Sequence, residues 1–275
     1  MTTQKIEERS MAKTKDWALI LGASSGFGEA NALELARNGI NIFGVHLDRK
    51  NTLANVDRIM GEIKNAGCEA QYFNVNAADE VKMDEVVATI EKTFQEQPGS
   101  HLRVVLHSLA FGTLKPFIAD NASDAITKPQ MDMTVDVMAH SLVYWVQRLV
   151  RKKLLTKGGH IYAMTSAGST RVWKSYGAVS AAKASLESHI RQLALELAPL
   201  GITANAILAG VTDTPALRKI PGNEYMIEMA AKKNPSGRCT TPQDVAKTIV
   251  ALSNGATAWM TGNTIRVDGG ENIVE

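Results

Sequence analysis

Cysteine and aromatic residues are scarce in this sequence, and long apolar runs are absent. With only two cysteines, Cys68 and Cys239, a disulfide scaffold is excluded and a reduced, cytoplasmic protein is favoured. No stretch approaches the roughly 18 consecutive apolar residues that a membrane-spanning helix needs. The 30 basic and 28 acidic side chains nearly cancel, so no bulk charge attracts nucleic acid or a membrane surface. The six histidines show no metal-ligand spacing, and no metal site is predicted.

The apolar residues that are present fall into short runs, separated by longer segments of helical period. These runs predict seven strands: Trp17–Leu21, Ile42–Val45, Ala70–Val75, Val104–Leu106, Ile161–Met164, Thr203–Leu208 and Thr264–Val267. Strands that alternate with helices indicate β-α-β units and a parallel sheet. We therefore expect an α/β fold, with a doubly wound, seven-stranded parallel sheet that carries helices on both faces. It forms a single domain over residues 16–275, after a flexible leader over residues 1–15.

Two proline-containing segments, residues 112–130 and 209–238, interrupt this alternation. Loops of this length inside a compact domain are usually functional. Both segments follow predicted strand ends, on the side where open α/β sheets bind ligands. They are therefore predicted to form the walls of a substrate pocket.

A glycine-rich turn follows the first predicted strand and opens the first helix. It reads Gly22-Ala23-Ser24-Ser25-Gly26-Phe27-Gly28. Its glycines permit a tight turn and a close approach of the backbone to a pyrophosphate, and the helix N-terminus supplies N–H donors to the anion. A P-loop is excluded because no Gly-Lys-Ser/Thr follows. We expect every residue of the turn except Ala23 to contact a dinucleotide.

The spacing Gly-x-x-x-Gly-x-Gly resembles that of the short-chain dehydrogenase/reductase superfamily, and the resemblance extends from about Asp16 to Gly270. Further matches are Asn205-Ala206, Gly210 with Thr214, and Val267-Asp268-Gly269-Gly270. The resemblance implies a Rossmann-type fold that binds a nicotinamide dinucleotide. It implies that the cofactor contacts Ser108, Leu109, Ala110, Gly210, Val211 and Thr214. Relatives usually have proline where this chain has Ala209, which predicts a looser turn before Gly210.

The end of the second predicted strand bears on the choice of dinucleotide. An acidic residue there accepts hydrogen bonds from an adenosine ribose and repels a 2′-phosphate. Where NAD-using relatives have aspartate, this chain has His46, and the cation Arg49 follows, which favours NADPH. Asp48 points towards NADH, so both cofactors stay open. Asn74 and Val75, at the end of the third predicted strand, are expected to contact the adenine.

In most of this superfamily, Tyr-x-x-x-Lys on a helix carries the chemistry, with a serine upstream. Lys183 lies in the predicted helix Ala178–Leu197, and Ser166 stands 17 residues before it, as in the family pattern. Four residues before Lys183 stands Val179, which cannot donate a proton. Tyr176 stands seven residues before Lys183, on the same helix face after about two turns.

The displaced tyrosine suits conjugate reduction better than ketone reduction. When hydride goes to the β-carbon of an enoyl thioester, negative charge appears on an oxygen two bonds further away, so the acid must move outward. The spacing Tyr-x6-Lys is that of the enoyl-acyl-carrier-protein reductases. The segment Tyr176–Glu187 resembles the motif of these enzymes, and His107–Gly112 is similar to their His-Ser segment. Many of these enzymes have a second tyrosine where this chain has Ser166. Serine there resembles an NADPH-using branch.

This resemblance implies a role for each of three residues. Tyr176 hydrogen-bonds the thioester carbonyl and stabilises the enolate, Lys183 binds the nicotinamide ribose and lowers the pKa of the tyrosine, and Ser166 is a second donor. It further implies a homotetramer that acts on trans-2-enoyl thioesters of an acyl carrier protein in fatty-acid elongation. A carbonyl reductase of the 3-ketoacyl type and a dinucleotide-binding protein with a decayed site remain alternatives.

Overall fold

A computed structural model describes residues 15–274, so the predicted leader, apart from Lys15, lies outside the described residues. The strands are β1 (Asp16–Leu21), β2 (Asn41–His46), β3 (Ala70–Asn74), β4 (His101–His107), β5 (Leu155–Thr165), β6 (Thr203–Ala209) and β7 (Thr264–Val267). They form one seven-stranded sheet in the order β3-β2-β1-β4-β5-β6-β7. Every neighbouring pair is parallel. The predicted α/β sheet is confirmed.

The helices are α1 (Gly26–Arg37), α2 (Leu53–Asn65), α3 (Glu80–Glu96), α4 (Lys128–Val135), α5 (Ser141–Arg151), α6 (Gly177–Leu197), α7 (Asn223–Lys233) and α8 (Pro242–Leu252). A π-helical segment, Asp136–His140, joins α4 to α5. Gly39 follows α1 with a φ of +79°, a conformation that favours glycine after a helix end. The predicted pocket walls are largely irregular, but α7 lies within the second of them.

Two apolar clusters fill the two faces of the sheet, because successive strand residues point to opposite sides. One cluster joins the strands to α3, α5 and α6, and Trp17 and Phe43 stack within it at 4.1 Å between ring centroids. The other joins them to α1, α2 and α8. Among the described residues no helix is both long and apolar enough to cross a membrane.

The largest differences from the predicted strands are at the starts of β4 and β5. β5 begins at Leu155, ahead of the predicted Ile161, and includes exposed polar residues that interrupt the apolar run. Leu155 pairs with Leu102 of β4, and a register shift follows in β4 before Val104. The pairing across the sheet therefore extends both strands beyond their apolar centres. The order of strands reverses between β1 and β4, which creates the crevice where such sheets bind ligands.

Candidate active site

The glycine-rich turn is held by backbone contacts that leave no room for side chains. The N–H groups of Gly22 and Ala23 both donate to the Val45 carbonyl of β2, at 2.8 and 3.0 Å. Gly22 and Gly26 have φ values of +90° and +56°. A Cβ at Gly28 would lie 1.9 Å from the Gly22 carbonyl oxygen. The turn thus requires glycine at these positions, and such a close backbone cradle fits a dinucleotide pyrophosphate.

Residues from two other strand ends border this turn. The Ser108 N–H, just after β4, donates to the Leu21 carbonyl at 2.8 Å. A Cβ at Gly22 would lie 2.5 Å from the Ser108 carbonyl oxygen, and one at Gly26 would lie 3.5 Å from Thr214 Cγ2. The structure therefore brings the turn, Ser108 and Thr214 together. Phe27 is partly buried and packs against the apolar cluster of the α1 face.

The predicted determinants at the end of β2 form a connected polar group. His46 is 5% exposed, and its Nδ1 lies 2.9 Å from Asp48 Oδ2. The Asn74 amide holds the Asp48 backbone, accepting from its N–H at 2.9 Å and donating to its carbonyl at 3.0 Å. His46 therefore faces the protein interior and Asp48. Val75 donates its N–H to the His46 carbonyl at 2.8 Å, which ties β3 to β2.

The Asp48 carboxylate is bonded from several sides. Burial acts to raise its pKa, but hydrogen bonds with Ser24, Thr52 and His46 outweigh burial and lower the pKa. Asp48 is therefore ionised at neutral pH. Arg49, next in the chain, is exposed, and its side chain makes no hydrogen bond or ion pair with any residue in the range 15–274.

The turn after β6 is held more firmly than the alanine at position 209 predicts. Gly210 donates its N–H to the Val267 carbonyl at 3.1 Å. The Val211 N–H donates to the Glu271 carboxylate, Oε2, at 2.9 Å. Thr214 Oγ1 accepts from the Leu217 N–H at 3.1 Å, which leaves the threonine proton available to a ligand. Glu271 carries no motif, and the sequence did not single it out.

Tyr176 stands immediately before α6 and caps it, whereas the sequence predicts it on the helix face. Its carbonyl accepts the hydrogen bond of the Ser180 N–H at 2.8 Å, and its own N–H donates to the Trp173 carbonyl at 3.1 Å. Ser175 has a φ of +62°, in the left-handed region that non-glycine residues seldom adopt. Such backbone strain concentrates at functional segments.

The Tyr176 ring lies against the segment that carries Ser166. A Cβ at Gly168 would lie 2.5 Å from Cε1 of the ring. The Gly168 N–H donates to Ser166 Oγ at 3.1 Å, which leaves the serine proton available to the neighbouring Tyr176 hydroxyl. Burial raises the pKa of Tyr176 and outweighs the lowering by Ser166. The tyrosine is therefore a protonated donor at neutral pH, and the group that acts to lower its pKa is Ser166 rather than the expected Lys183.

Lys183 lies between the ends of β4 and β5. It is 5% exposed, and its Nζ donates to the Met164 carbonyl at 2.7 Å and the Leu109 carbonyl at 3.5 Å. Burial lowers its pKa to about 8, although Glu187 acts to raise it. His107 is buried beside it, and burial together with the charge of Lys183 lowers the imidazole pKa to about 3. The lysine is thus the only cation of this pair at neutral pH.

Val179 occupies an apolar cluster where most of the superfamily has its tyrosine. It is 5% exposed and packs with Met138 and Ala182. A Cβ at Gly112 would lie 3.0 Å from Val179 Cγ2. The space around this position is filled by apolar groups, and the tyrosine beside Ser166 is Tyr176, which immediately precedes the helix.

The two predicted pocket walls both reach the Tyr176 region. The Phe117 ring of the first wall lies against Gly177, because a Cβ added at Gly177 would lie 2.4 Å from Phe117 Cζ. The Trp173 indole N–H donates to the Pro221 carbonyl of the second wall at 3.1 Å. Phe117 and Tyr225 are more than half exposed. The arrangement offers an open apolar surface next to the tyrosine.

The parallel sheet, the glycine cradle at its switch point and the tyrosine, lysine and serine beside it define a short-chain dehydrogenase/reductase. A family model described as Enoyl-(Acyl carrier protein) reductase matches residues 22–272, and the chain belongs to this family. The 1-cyclohexenylcarbonyl-CoA reductase of Streptomyces collinus is 30% identical over 275 residues, which cover 97% of this chain and 90% of that relative.

Two further relatives differ in their named reactions. The 3-oxoacyl-(acyl-carrier-protein) reductase FabG of Pseudomonas aeruginosa is 29% identical over 92% of this chain and 96% of its own length. The crystal structure of enoyl-(acyl-carrier-protein) reductase (NADH) from Aquifex aeolicus is 25% identical, with a TM-score of 0.79 over 95% of this chain and 98% of that chain. The chain is an oxidoreductase of a family that uses NAD(P)H, and its relatives include both enoyl and ketoacyl reductases.

Proposed function

We propose that this protein is an enoyl-acyl-carrier-protein reductase, which reduces the C=C bond of a trans-2-enoyl thioester. The observation that carries the proposal is the position of Tyr176. It is partly buried, protonated and beside Ser166, whereas the usual tyrosine position is the apolar Val179. This tyrosine lies one helical turn further from Lys183, which suits an oxygen removed from the carbon that receives hydride.

In this proposal, the dinucleotide is held at the glycine turn, at Ser108–Ala110 and at the Gly210–Thr214 turn. When bound, its nicotinamide supplies hydride to the β-carbon of the substrate. Tyr176 donates a hydrogen bond to the thioester oxygen, where negative charge develops, and Ser166 supports this donor. Lys183 binds the ribose and places a positive charge behind the tyrosine. The α-carbon then takes a proton from Tyr176 or from water.

We further propose that NADPH is the preferred cofactor. Arg49 is an exposed cation that has no side-chain partner among residues 15–274, so it is available to a 2′-phosphate. The Asp48 carboxylate opposes this preference, but its hydrogen bonds with Ser24, Thr52 and His46 leave fewer acceptor sites for a ribose. We expect Arg49→Gln to raise the KM for NADPH about tenfold and to leave the KM for NADH within about twofold. Equal changes for both cofactors would refute the role of Arg49.

The substrate is proposed to reach the site on an acyl carrier protein, during fatty-acid elongation in the cytoplasm. The exposed Phe117 ring, which lies against Gly177 next to Tyr176, suits the acyl chain. The family resemblance supports a homotetramer. Sedimentation of the purified protein tests the tetramer, and competition by an acylated carrier protein against a CoA thioester tests the carrier.

Oxidation of NADPH and NADH, followed with crotonyl and acetoacetyl thioesters side by side, tests the proposed reaction. We expect crotonyl thioester to be reduced and acetoacetyl thioester to be turned over at least tenfold more slowly. The FabG relative provides the specific reason to include the ketone. Reduction of acetoacetyl thioester alone would establish a carbonyl reductase. Tight cofactor binding without turnover of either substrate would establish a decayed enzyme.

A further inference from the structure

A buried carboxylate from the C-terminal end of the chain contacts the turn after β6. Glu271 is 7% exposed, and its Oε2 accepts the Val211 N–H at 2.9 Å. This contact joins two residues that are 60 positions apart in the sequence. Val211 lies in the middle of the turn that the proposed function assigns to the nicotinamide end of the dinucleotide. The carboxylate is thus placed to fix the direction of that backbone amide.

The space around this contact is closed. A Cβ at Gly210 would lie 2.4 Å from Thr240 Oγ1 and 2.8 Å from Glu271 Oε2. Only glycine lets the carboxylate approach the turn this closely. The Ala209 that replaces the proline of relatives restricts the backbone less, and the Glu271 contact supplies a restraint from outside the turn.

The chain that carries Glu271 is itself fixed. Asp268, just after β7, accepts the Gly270 N–H at 3.0 Å through Oδ1 and the Asn272 N–H at 3.2 Å through Oδ2. The Glu271 N–H donates to the Asp268 carbonyl at 3.0 Å. The carboxylate therefore projects from a short, hydrogen-bonded turn, which gives it a defined position.

Several charged or titratable groups from other elements face this carboxylate. Burial raises the pKa of Glu271, the Val211 N–H lowers it, and the charge of Asp268 raises it further. Arg171, from the segment between Ser166 and Tyr176, and Lys233, at the end of α7, act to lower it. The Cys239 thiol also lies within the field of Glu271. The carboxylate thus stands among groups from the segment before Tyr176, from α7 and from the chain that follows α7.

We propose that Glu271 is a positioning residue for the dinucleotide, which it serves by holding Val211 and thereby the Gly210–Thr214 turn. This inference rests on the proposed binding of a nicotinamide dinucleotide at that turn. Glu271 does not touch the reacting atoms in this assignment. Its effect is on cofactor affinity, through the direction of the Val211 amide and the placement of Thr214.

Two substitutions of similar size separate this role from simple packing. Glu271→Gln keeps an oxygen that can accept the Val211 N–H, whereas Glu271→Leu keeps the bulk and removes the acceptor. We expect Glu271→Leu to weaken NADPH binding, measured by cofactor fluorescence, about tenfold. The NADPH affinity of Glu271→Gln should stay within about threefold of that of the unmodified protein. The KM for crotonyl thioester should change less than twofold in both. Glu91→Ala, which removes a carboxylate that bonds Lys152 on the surface, is the control.

The outcomes are distinguishable from failure of the proposed reaction. Equal NADPH affinity in the unmodified protein and Glu271→Leu would overturn the inference, whichever thioester is reduced. Equal losses in Glu271→Leu and Glu271→Gln would also overturn it, because the change that both variants share is the loss of the negative charge. If Glu271→Leu does not fold, Glu271→Met, which also keeps the bulk and removes the carboxylate oxygens, provides the same comparison with Gln. Failure of the unmodified protein to bind either cofactor would overturn both proposals, whereas binding without enoyl turnover would overturn the proposed reaction alone.

Discussion

The two ends of the proposed site are built in different ways. At the nucleotide end, the backbone of the glycine turn contacts the backbones of β2 and of the segment after β4, and an added Cβ at Gly28 would lie 1.9 Å from an oxygen. At the catalytic end, side chains from separate segments meet. Tyr176 precedes α6, Ser166 follows β5 and Lys183 lies within α6.

This difference predicts two kinds of sensitivity. In the turn, one extra methyl group has no space, so substitution alters the path of the chain and removes binding. At the catalytic end, a hydroxyl or a charge can be removed while the backbone stays in place, so chemistry is lost and binding is retained. Substitutions at the two ends should therefore affect different kinetic constants.

The largest effect is expected in the turn. Gly28→Ala places a Cβ against the Gly22 carbonyl, so we expect NADPH binding to fall at least 100-fold, to about the limit of detection. Isothermal titration with NADPH measures this loss. Gly61→Ala in α2 is the matched control, since a Cβ there meets nothing within 4 Å. It should stabilise the fold by about 0.5–1 kcal/mol. Full cofactor affinity in Gly28→Ala would contradict the account of the turn.

At the catalytic end, Tyr176→Phe removes the proposed donor to the thioester oxygen. We expect the kcat for crotonyl thioester to fall about 10- to 100-fold. The NADPH affinity should stay within about twofold of that of the unmodified protein. Steady-state kinetics and cofactor titration measure the two constants. Tyr72→Phe is the control, since its buried hydroxyl has no hydrogen-bond partner among the described residues. Unchanged turnover in Tyr176→Phe would remove the main support for the proposed reaction.

The turn could be predicted from the sequence because its constraints are local. Glycine spacing, strand and helix follow one another over a few residues, and the seven strands follow from apolar runs. The catalytic end depends on contacts that no local pattern reveals. The same holds at the nucleotide end for His46, whose side chain is buried against Asp48. Tyr176 was predicted on the helix face, yet it caps the helix after the left-handed Ser175.

The longest-range contacts were the least predictable. The Val211–Glu271 hydrogen bond joins segments 60 residues apart, and Glu271 belongs to no motif. The start of β5 at Leu155 depends on pairing with Leu102 rather than on its own apolar pattern. In both places, tertiary contacts determine the local structure. The spacing of Tyr176, Lys183 and Ser166 was informative because family resemblance encodes such contacts indirectly.

An intermediate effect is expected from the charge of Lys183. Its pKa is lowered to about 8, so kcat/KM for NADPH should fall as the pH rises through about 8, where the ammonium loses its proton. The Lys183→Arg variant stays charged and should show no such fall. The Lys183→Met variant should have a low kcat/KM for NADPH at every pH. Stability has the opposite dependence on pH. Because folding lowers the pKa of Lys183, its contribution to the free energy of unfolding is complete above pH 10.5 and is lost as the pH falls through about 8.

The smallest effect on turnover is expected at Val179. Its side chain is 5% exposed and fills the apolar cluster with Met138. Val179→Ala should lower the free energy of unfolding by about 2 kcal/mol and leave kcat within about twofold. Urea denaturation and steady-state kinetics check these two expectations. A large loss of kcat without a loss of stability would mean that this position takes part in the reaction.

The most direct test of the central claim is the destination of the hydride. NADPH that carries deuterium at C4 of the nicotinamide is incubated with crotonyl thioester in ordinary water, and the product is analysed by NMR. We expect deuterium at C3, the β-carbon, and ordinary hydrogen from water at C2. Crotonyl thioester that stays unreduced, while acetoacetyl thioester takes up deuterium at its C3 carbonyl carbon, would contradict it.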